Sequence, residues 1–288
     1  MAITDTIHRL LADPAPDLSF EISTQGLAHA KRGGSPQWTS YDAETLRISP
    51  IEDNILRNDF FLKAIKEAAG PETGRKRRTA VLILPDYAAR MAVLDFSQFP
   101  SDPDEQRALV RFRMKKTVPF DVDAAAVSCF VQPRKGSAKE VDVLATLVSL
   151  EILAKYEAPF RVAGLWPGRI TTSTLAALDL MPADGCRVLV KLAGKVLSIA
   201  VTMGGSLRLL RCVELATADE EELGGVLYPT LAYLEDELKT RPQSVHLCGL
   251  ATLPSDVELP VEPLQSPFGA PAATNAGLLG YLAAGGRN

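Results

Sequence analysis

Arg107, Arg111 and Lys115 stand four residues apart, a spacing that stacks three cations on one face of a helix. Such a face is ordinarily solvated. The functional alternative is the wall of a groove that receives an acidic or extended peptide. The neighbouring Phe112, Val118, Pro119 and Phe120 would then line or support a pocket, with at least one of them buried in its own lobe. The other chemistry-bearing residues are scattered. His8, His29 and His246 lie far apart, and none has Cys, Asp or Glu at metal-ligand spacing, so they read as surface or satisfied strand histidines. Cys129, Cys186, Cys212 and Cys248 show no paired spacing and read as reduced, mostly buried thiols. There is no Gly-x-Ser-x-Gly elbow, phosphate-binding P-loop or His-Glu-x-x-His motif. The basic run Arg75-Lys76-Arg77-Arg78 could meet acidic lipid headgroups, but four charges on one loop are more often a solvated turn.

A chain of 288 residues with 47% hydrophobic content has enough material for a large core. Its net charge of −4 argues against nucleic acid as the main partner, because phosphate-binding surfaces carry excess Lys and Arg. The start, Met-Ala-Ile-Thr-Asp-Thr-Ile-His-Arg, lacks the basic and continuously apolar parts of a secretory signal. The longest apolar runs fall well short of the ~18 to 20 residues that cross a bilayer as a helix. Contact with a membrane would therefore have to go through a partner.

The elements that must position any site recur in a fixed order. Leu18 to Ser23, Gly26 to Lys31 and Leu46 to Ser49 read as three strands joined by Gly-containing turns. A helix over Ile51 to Ala69 and an apolar strand over Ala80 to Leu84 follow. The same order returns as Val188 to Leu192, Val196 to Val201 and Leu207 to Leu215, then a helix over Glu220 to Leu238, then a strand over Val245 to Cys248. Between the two units, Arg90 to Lys139 falls outside the repeat. Ser101 is a candidate helix cap there, acidic residues begin that helix, Arg113, Lys115 and Lys116 end it, and Ala126 to Val131 reads as a strand. Val141 to Val148 is expected to return to the first unit as a strand, before helices near Ser149 to Tyr156 and Thr172 to Leu180.

Two β-β-β-α-β units and an insertion give an α/β reading: a duplicated actin/RNase H-like fold with a small inserted α+β subdomain. The expected boundaries are 15–89 with 140–182 for the first domain, 90–139 for the insertion and 186–288 for a reduced second domain. Three segments carry a resemblance to the type IV pilus assembly protein PilM family, which is related to FtsA. They are Thr117-Val118-Pro119-Phe120-Asp121 after the inserted helix, Ala163-Gly164-Leu165-Trp166-Pro167, and the Ala-rich Pro271 to Leu279. In that superfamily each meander opens on an Asp-x-Gly-type hairpin, whose Asp organises a metal-bound water and whose Gly admits the phosphates. The resemblance puts Glu21 and Ser23, with Thr24 beside them, at the first such hairpin, and Lys191 and Ala193 at the second. A loop of the Leu-x-Gly-Gly type that cradles adenosine corresponds to Leu247-Cys248-Gly249-Leu250.

These departures imply a degenerate nucleotide cleft and no ATP hydrolysis. No cofactor is expected, and ATP with Mg²⁺ belongs to the rival reading. The resemblance implies a cytoplasmic scaffold, monomeric or weakly self-associating, that binds the cytoplasmic tail of a PilN-like inner-membrane protein in a groove beside the inserted helix. A type II secretion L-type cytoplasmic domain is a variant of the same reading. The rival is an ATPase or phosphotransferase of this superfamily that uses Glu21 as base or metal organiser.

Overall fold

The computed structural model describes residues 16–71, 77–134, 140–255 and 257–285. Strands β1 (Leu18–Ile22), β2 (Gly26–Lys31) and β3 (Gln37–Ser40) form an antiparallel meander. Helix α1 (Asn58–Ala69) follows, then β4 (Arg78–Leu84), which lies parallel to β1. The second half opens with an antiparallel meander of β9 (Cys186–Ala193), β10 (Val196–Met203) and β11 (Ser206–Glu214). Helix α5 (Glu220–Asp236) and strands β12 (Ser244–Cys248) and β13 (Val261–Pro263) complete it. With β8 (Leu165–Thr172) added to the first half, the sheet orders are β3-β2-β1-β4-β8 and β11-β10-β9-β12-β13. They match position for position, so the duplication read in the sequence is a duplication of topology.

The apolar run in β4 is continuous because both faces of the strand are covered. Leu82 and Leu84 share a core with Phe61 and Ile65 of α1 and with Tyr156 and Phe160 of α3 (Leu150–Val162). Val81 and Ile83 face Ala176 of α4 (Ser173–Ala177) and Leu278 and Tyr281 of α6 (Ala276–Ala283). Phe160 meets Phe20 and Phe61 edge-on, with ring centroids 5.1 and 6.0 Å apart. Helices α4 and α6 approach so closely that a Cβ on Gly280 would lie 2.0 Å from the Ala176 carbonyl oxygen. Glycine is the residue that lets the two backbones touch. In the second half, α5 covers one face of the sheet through Leu223, Leu227 and Leu234. Leu189, Ala200, Leu207 and Leu210 on the other face belong to the core of the first half, so the halves share one apolar interior.

The inserted lobe is a third sheet, ordered β5-β7-β6, made of β5 (Arg90–Phe96), β6 (Ala125–Pro133) and β7 (Val141–Ser149). One of its faces is covered by α2 (Pro103–Met114), whose Val110 and Met114 pack with Val143, Ala145 and Leu147. Two contacts fasten the lobe to the second half. Gln132 accepts from the Leu207 N–H at 2.8 Å and donates to the Leu207 carbonyl at 3.0 Å. Asp142, buried, accepts from Arg134 at 2.7 Å and from Arg208.

Several sequence expectations are corrected. The segment 141–148 does not return to the first sheet; it is the central strand of the third, paired along its length with both β5 and β6. Its alternation fits either site, and the hairpin partners on each side decide. The third strand of the first meander is Gln37–Ser40, and Leu46 makes only an isolated bridge to Ile55. Helix α1 starts at Asn58 rather than at Ile51. The cap of α2 is Asp102, which accepts from the Asp104 and Glu105 amides, with Pro103 fixing the first turn.

Candidate functional site: an internal ion pair in the cleft between the halves

Strand alternation carries Leu189 and Lys191 to the same face of β9, the face that meets the first half. A buried ammonium on an apolar strand requires an anion. Asp86 supplies it from the 3₁₀ turn Asp86–Ala88 that follows β4 and Pro85. Lys191 Nζ lies 2.9 Å from Asp86 Oδ2, and both side chains are 2% exposed. Asp86 also accepts from the Thr174 amide and hydroxyl, each at 2.7 Å, and from Ser198 Oγ at 3.1 Å. Residues of α4, the β4 turn, β9 and β10 thus converge on a single carboxylate.

Glu21, buried on β1, lies next to this pair. Its Oε2 accepts from the Leu278 amide in the first turn of α6 at 2.7 Å, and its Oε1 accepts from Ser173 Oγ. Burial raises the Glu21 pKa, opposed by the Lys191 charge and by these two donors. Burial would also raise the Asp86 pKa, but the Lys191 charge and the Thr174 donors overcome it and hold the carboxyl below the usual range. Lys191 is desolvated, yet Asp86 and Glu21 together raise its pKa, so the ammonium persists. The nearby thiols are no nucleophiles: burial pushes Cys212 up to about 12 and Cys248 up to about 11.

A cavity of about 350 Å³ opens beside the pair, and Glu21, Ser23, Thr24, Lys191, Ala193 and Gly249 all line it. Six of the seven cleft residues singled out in the sequence therefore converge. Leu250 does not; it packs against the core of the second half. Gly249 has φ +76, and a Cβ there would lie 2.1 Å from the Leu192 carbonyl oxygen. Its role in the fold is the close approach of two backbones. Ser23 is occupied by its own turn, its hydroxyl bonded to the Gly26 carbonyl and to the Gln25 and Gly26 amides. Sequence reasoning missed Asp86, Ser173, Thr174 and Ser198. The one available signal was Lys191 itself, a cation inside Val188-Leu189-Val190-Lys191-Leu192 that demands a carboxylate from elsewhere in the chain. Mg²⁺ with a nucleotide, the ligand such a cleft implies, does not fit this donor set, because an ammonium already engages the Asp86 oxygen a metal would use. Among the described residues, no group of three or more His, Cys, Asp or Glu side chains could hold a metal ion.

A second concavity lies where the inserted lobe faces the first half. Cavities of about 230 and 750 Å³ share Ser128, Phe130, Leu144, Ile170, Thr171 and Leu175. Ser128, Phe130 and Leu144 belong to the sheet face opposite α2. Strands β6 and β8, which both contribute residues to this groove, are the terminal strands of their sheets, each with one edge unpaired among the described residues. Phe130 is 63% exposed. None of Arg107, Arg111, Phe112, Lys115, Val118, Pro119 or Phe120 lines either cavity. Helix α2 must bury Val110 and Met114 on the opposite face, and this turns its cations away from the groove. Arg111 donates to the Val122 and Ala125 carbonyls at 3.0 and 3.1 Å, and Arg107 pairs with Asp104. Val118 and Phe120 pack on the lobe core, whereas Phe112 is exposed. In the basic run, Arg77 stacks over Trp166 at 4.3 Å and Arg78 donates to the Ala69 carbonyl at 2.9 Å; Arg75, Lys76 and His8 lie outside the described residues.

Two matching sheets around a central cleft, with a lobe inserted in the first half, define an α/β protein of the actin-like ATPase fold. The chain is similar to a chain of the PilM–PilN type IV pilus biogenesis complex, with TM-score 0.67 and 18% identity over 95% of this chain and 98% of that one. It is also similar to the cytoplasmic domain of EpsL, an inner-membrane component of the type II secretion system of Vibrio cholerae. There the TM-score is 0.53 and the identity 14%, covering 92% of this chain and 94% of that one. A Bacteroides thetaiotaomicron protein with an actin-like ATPase fold and unknown function gives TM-score 0.51 and 14% identity, covering 92% and 95%. No protein-family model and no curated protein matches the sequence. Among the described residues, no helix is long and apolar enough to cross a membrane.

Proposed function

We propose that this protein is a non-catalytic adaptor of a type IV pilus or related secretion assembly. It works on the cytoplasmic side of the inner membrane and is held there by the tail of a PilN-like partner. The carrying observation is the groove between β6 and β8, where two unpaired strand edges flank an apolar floor that includes Phe130, Leu144, Ile170 and Leu175. An extended segment can add main-chain hydrogen bonds to either edge while its alternate side chains enter the floor. The similarity to a chain of the PilM–PilN complex supports a peptide partner of this kind. The non-catalytic part rests on the engagement of both cleft carboxylates, Asp86 by Lys191 and Glu21 by Ser173 and the Leu278 amide.

The test measures binding of a labelled peptide with the sequence of the cytoplasmic tail of a PilN-like protein, by fluorescence anisotropy. Phe130 is exposed, so Phe130→Asp leaves the fold intact and is expected to weaken binding at least tenfold, about 1.4 kcal/mol. Lys115→Glu, on the face behind the sheet, should change it by less than about twofold. Undiminished binding by Phe130→Asp would move the site away from the groove. Mg-dependent ATP hydrolysis by the wild type, lost in Glu21→Ala, would sink the non-catalytic reading.

A further inference from the structure

At the end of the first sheet away from the cleft, cations gather around an exposed tryptophan. Trp166, near the start of β8, is 38% exposed, and the Arg77 and Arg161 guanidinium groups lie over its ring at 4.3 and 5.3 Å. Arg78 sits between the carbonyl ends of α1 and α3, donating to the Ala69 carbonyl at 2.9 Å and to the Ala163 carbonyl at 3.5 Å. Lys31, exposed at the end of β2, brings its Nζ to 3.6 Å from the point where a Cβ on Gly70 would sit, beside the same end of α1. Val162, 65% exposed, adds an apolar side chain next to Arg161. We propose that this end of the first half is a second, direct contact with the membrane, seated on the anionic headgroups of a phospholipid bilayer.

Four charges on one turn mean little, but the fold adds to Arg77 and Arg78 a cation from α3, a cation from β2 and an indole from β8. Carboxylates answer only part of this charge: Glu157 pairs with Arg161 at 2.9 Å, and exposed Glu67 offsets its neighbour Lys66 in the last turn of α1. Guanidinium groups hydrogen-bond phosphodiester oxygens, and an indole with one apolar face and one polar edge settles at the headgroup level. The direction in which this end points rests on the groove reading. A tail lying along β8 must leave at one of the strand's two ends. The Thr172 end is buried and runs on into Ser173 and Thr174. The other end is open at Trp166, so a tail anchored in a bilayer leads back to the membrane past the cations. Tail and headgroups then act together, each raising the effective concentration of the other.

The experiment is co-sedimentation of the whole chain with vesicles of phosphatidylcholine alone or mixed with phosphatidylglycerol, at low and high NaCl. The wild type should bind the anionic vesicles and not the neutral ones, and high salt should release it, because exposed charges are screened. Each cation at an anionic surface changes partitioning roughly fivefold, so Arg77→Ala/Arg161→Ala should bind roughly twentyfold more weakly. Its affinity for the tail peptide in solution should stay within about twofold of wild type, which separates this surface from the groove. Trp166 reports the contact directly. In Trp38→Phe it is the one tryptophan left of two, and its emission should move to the blue on anionic vesicles. Equal binding to both vesicle compositions, undiminished binding by the double variant, or unmoved Trp166 emission overturns the proposal. So does the absence of vesicle binding, which would assign the patch to an acidic protein surface. Salt-sensitive binding to anionic vesicles by a wild type that ignores the tail peptide upholds the headgroup surface and sinks the groove reading alone.

Discussion

Replacing Gln132 with Ala removes one of the side chains that join the inserted lobe to the second half, the Asp142–Arg208 pair being another. The terminal amide of Gln132 presents one acceptor and one donor to Leu207, as a neighbouring strand would, at 2.8 and 3.0 Å. Strand β11 is an edge strand, and Leu207 is 5% exposed, so its outward N–H and C=O have limited access to water. Each buried backbone group left without a partner costs about 1–3 kcal/mol. Ala creates space into which water can follow, so the lower part of the range applies and the pair should cost about 2–4 kcal/mol. Urea unfolding should show the midpoint falling by that amount divided by an unchanged m-value. Amide hydrogen exchange gives the local readout: the Leu207 amide should exchange roughly ten- to a hundredfold faster, while the amides of β9 keep their relative protection. If the Leu207 amide kept wild-type protection in the variant, the account of the lobe's attachment would be refuted.

Two further expectations follow from the buried contacts. The Glu21 pKa is raised above 4.5 by burial, so the folded state binds the proton more tightly and stability falls as pH rises from about 4.5 through the folded pKa. In Glu21→Gln this slope is absent, so the stability of the variant relative to wild type should grow with pH in denaturant titrations between pH 4 and 8; a relative stability that shrinks with pH would contradict it. Gly280→Ala drives a Cβ into the Ala176 carbonyl and should separate α6 from α4, lowering stability by about 1–3 kcal/mol in thermal unfolding, whereas an unchanged melting point would show that the two helices slide apart freely.

The repeat was legible because its signals are local: each meander alternates, each is followed by a helical stripe, and each closes on an apolar strand. The insertion was legible as a break in that order. Assigning 141–149 to a sheet was not, since a strand with Val143, Ala145 and Leu147 on one face and Leu144, Thr146 and Val148 on the other suits any sheet covered on both sides. The cleft residues lie at hairpin positions that a sequence can mark, and six of the seven meet around one cavity. Asp86 was invisible because its partner is 105 residues away and nothing near Pro85 hints at Lys191. The cations of α2 misled for a physical reason. Spacing tells which residues share a helix face, but which face points outward depends on the sheet the helix covers.

The bond between the Leu278 amide and Glu21 joins residues 257 positions apart. Until α6 has been synthesised, Glu21 lacks one of its two donors, and the face of β4 carrying Val81 and Ile83 lacks Leu278 and Tyr281. The sheet of the first half must therefore wait, with part of it open to water, for a residue made 257 positions after Glu21. Sheets completed by such distant contacts form slowly and stay prone to aggregation while incomplete. Production of this protein is thus expected to depend more on the cell's chaperones than its final packing would suggest, with α6 closing the sheet of the first half.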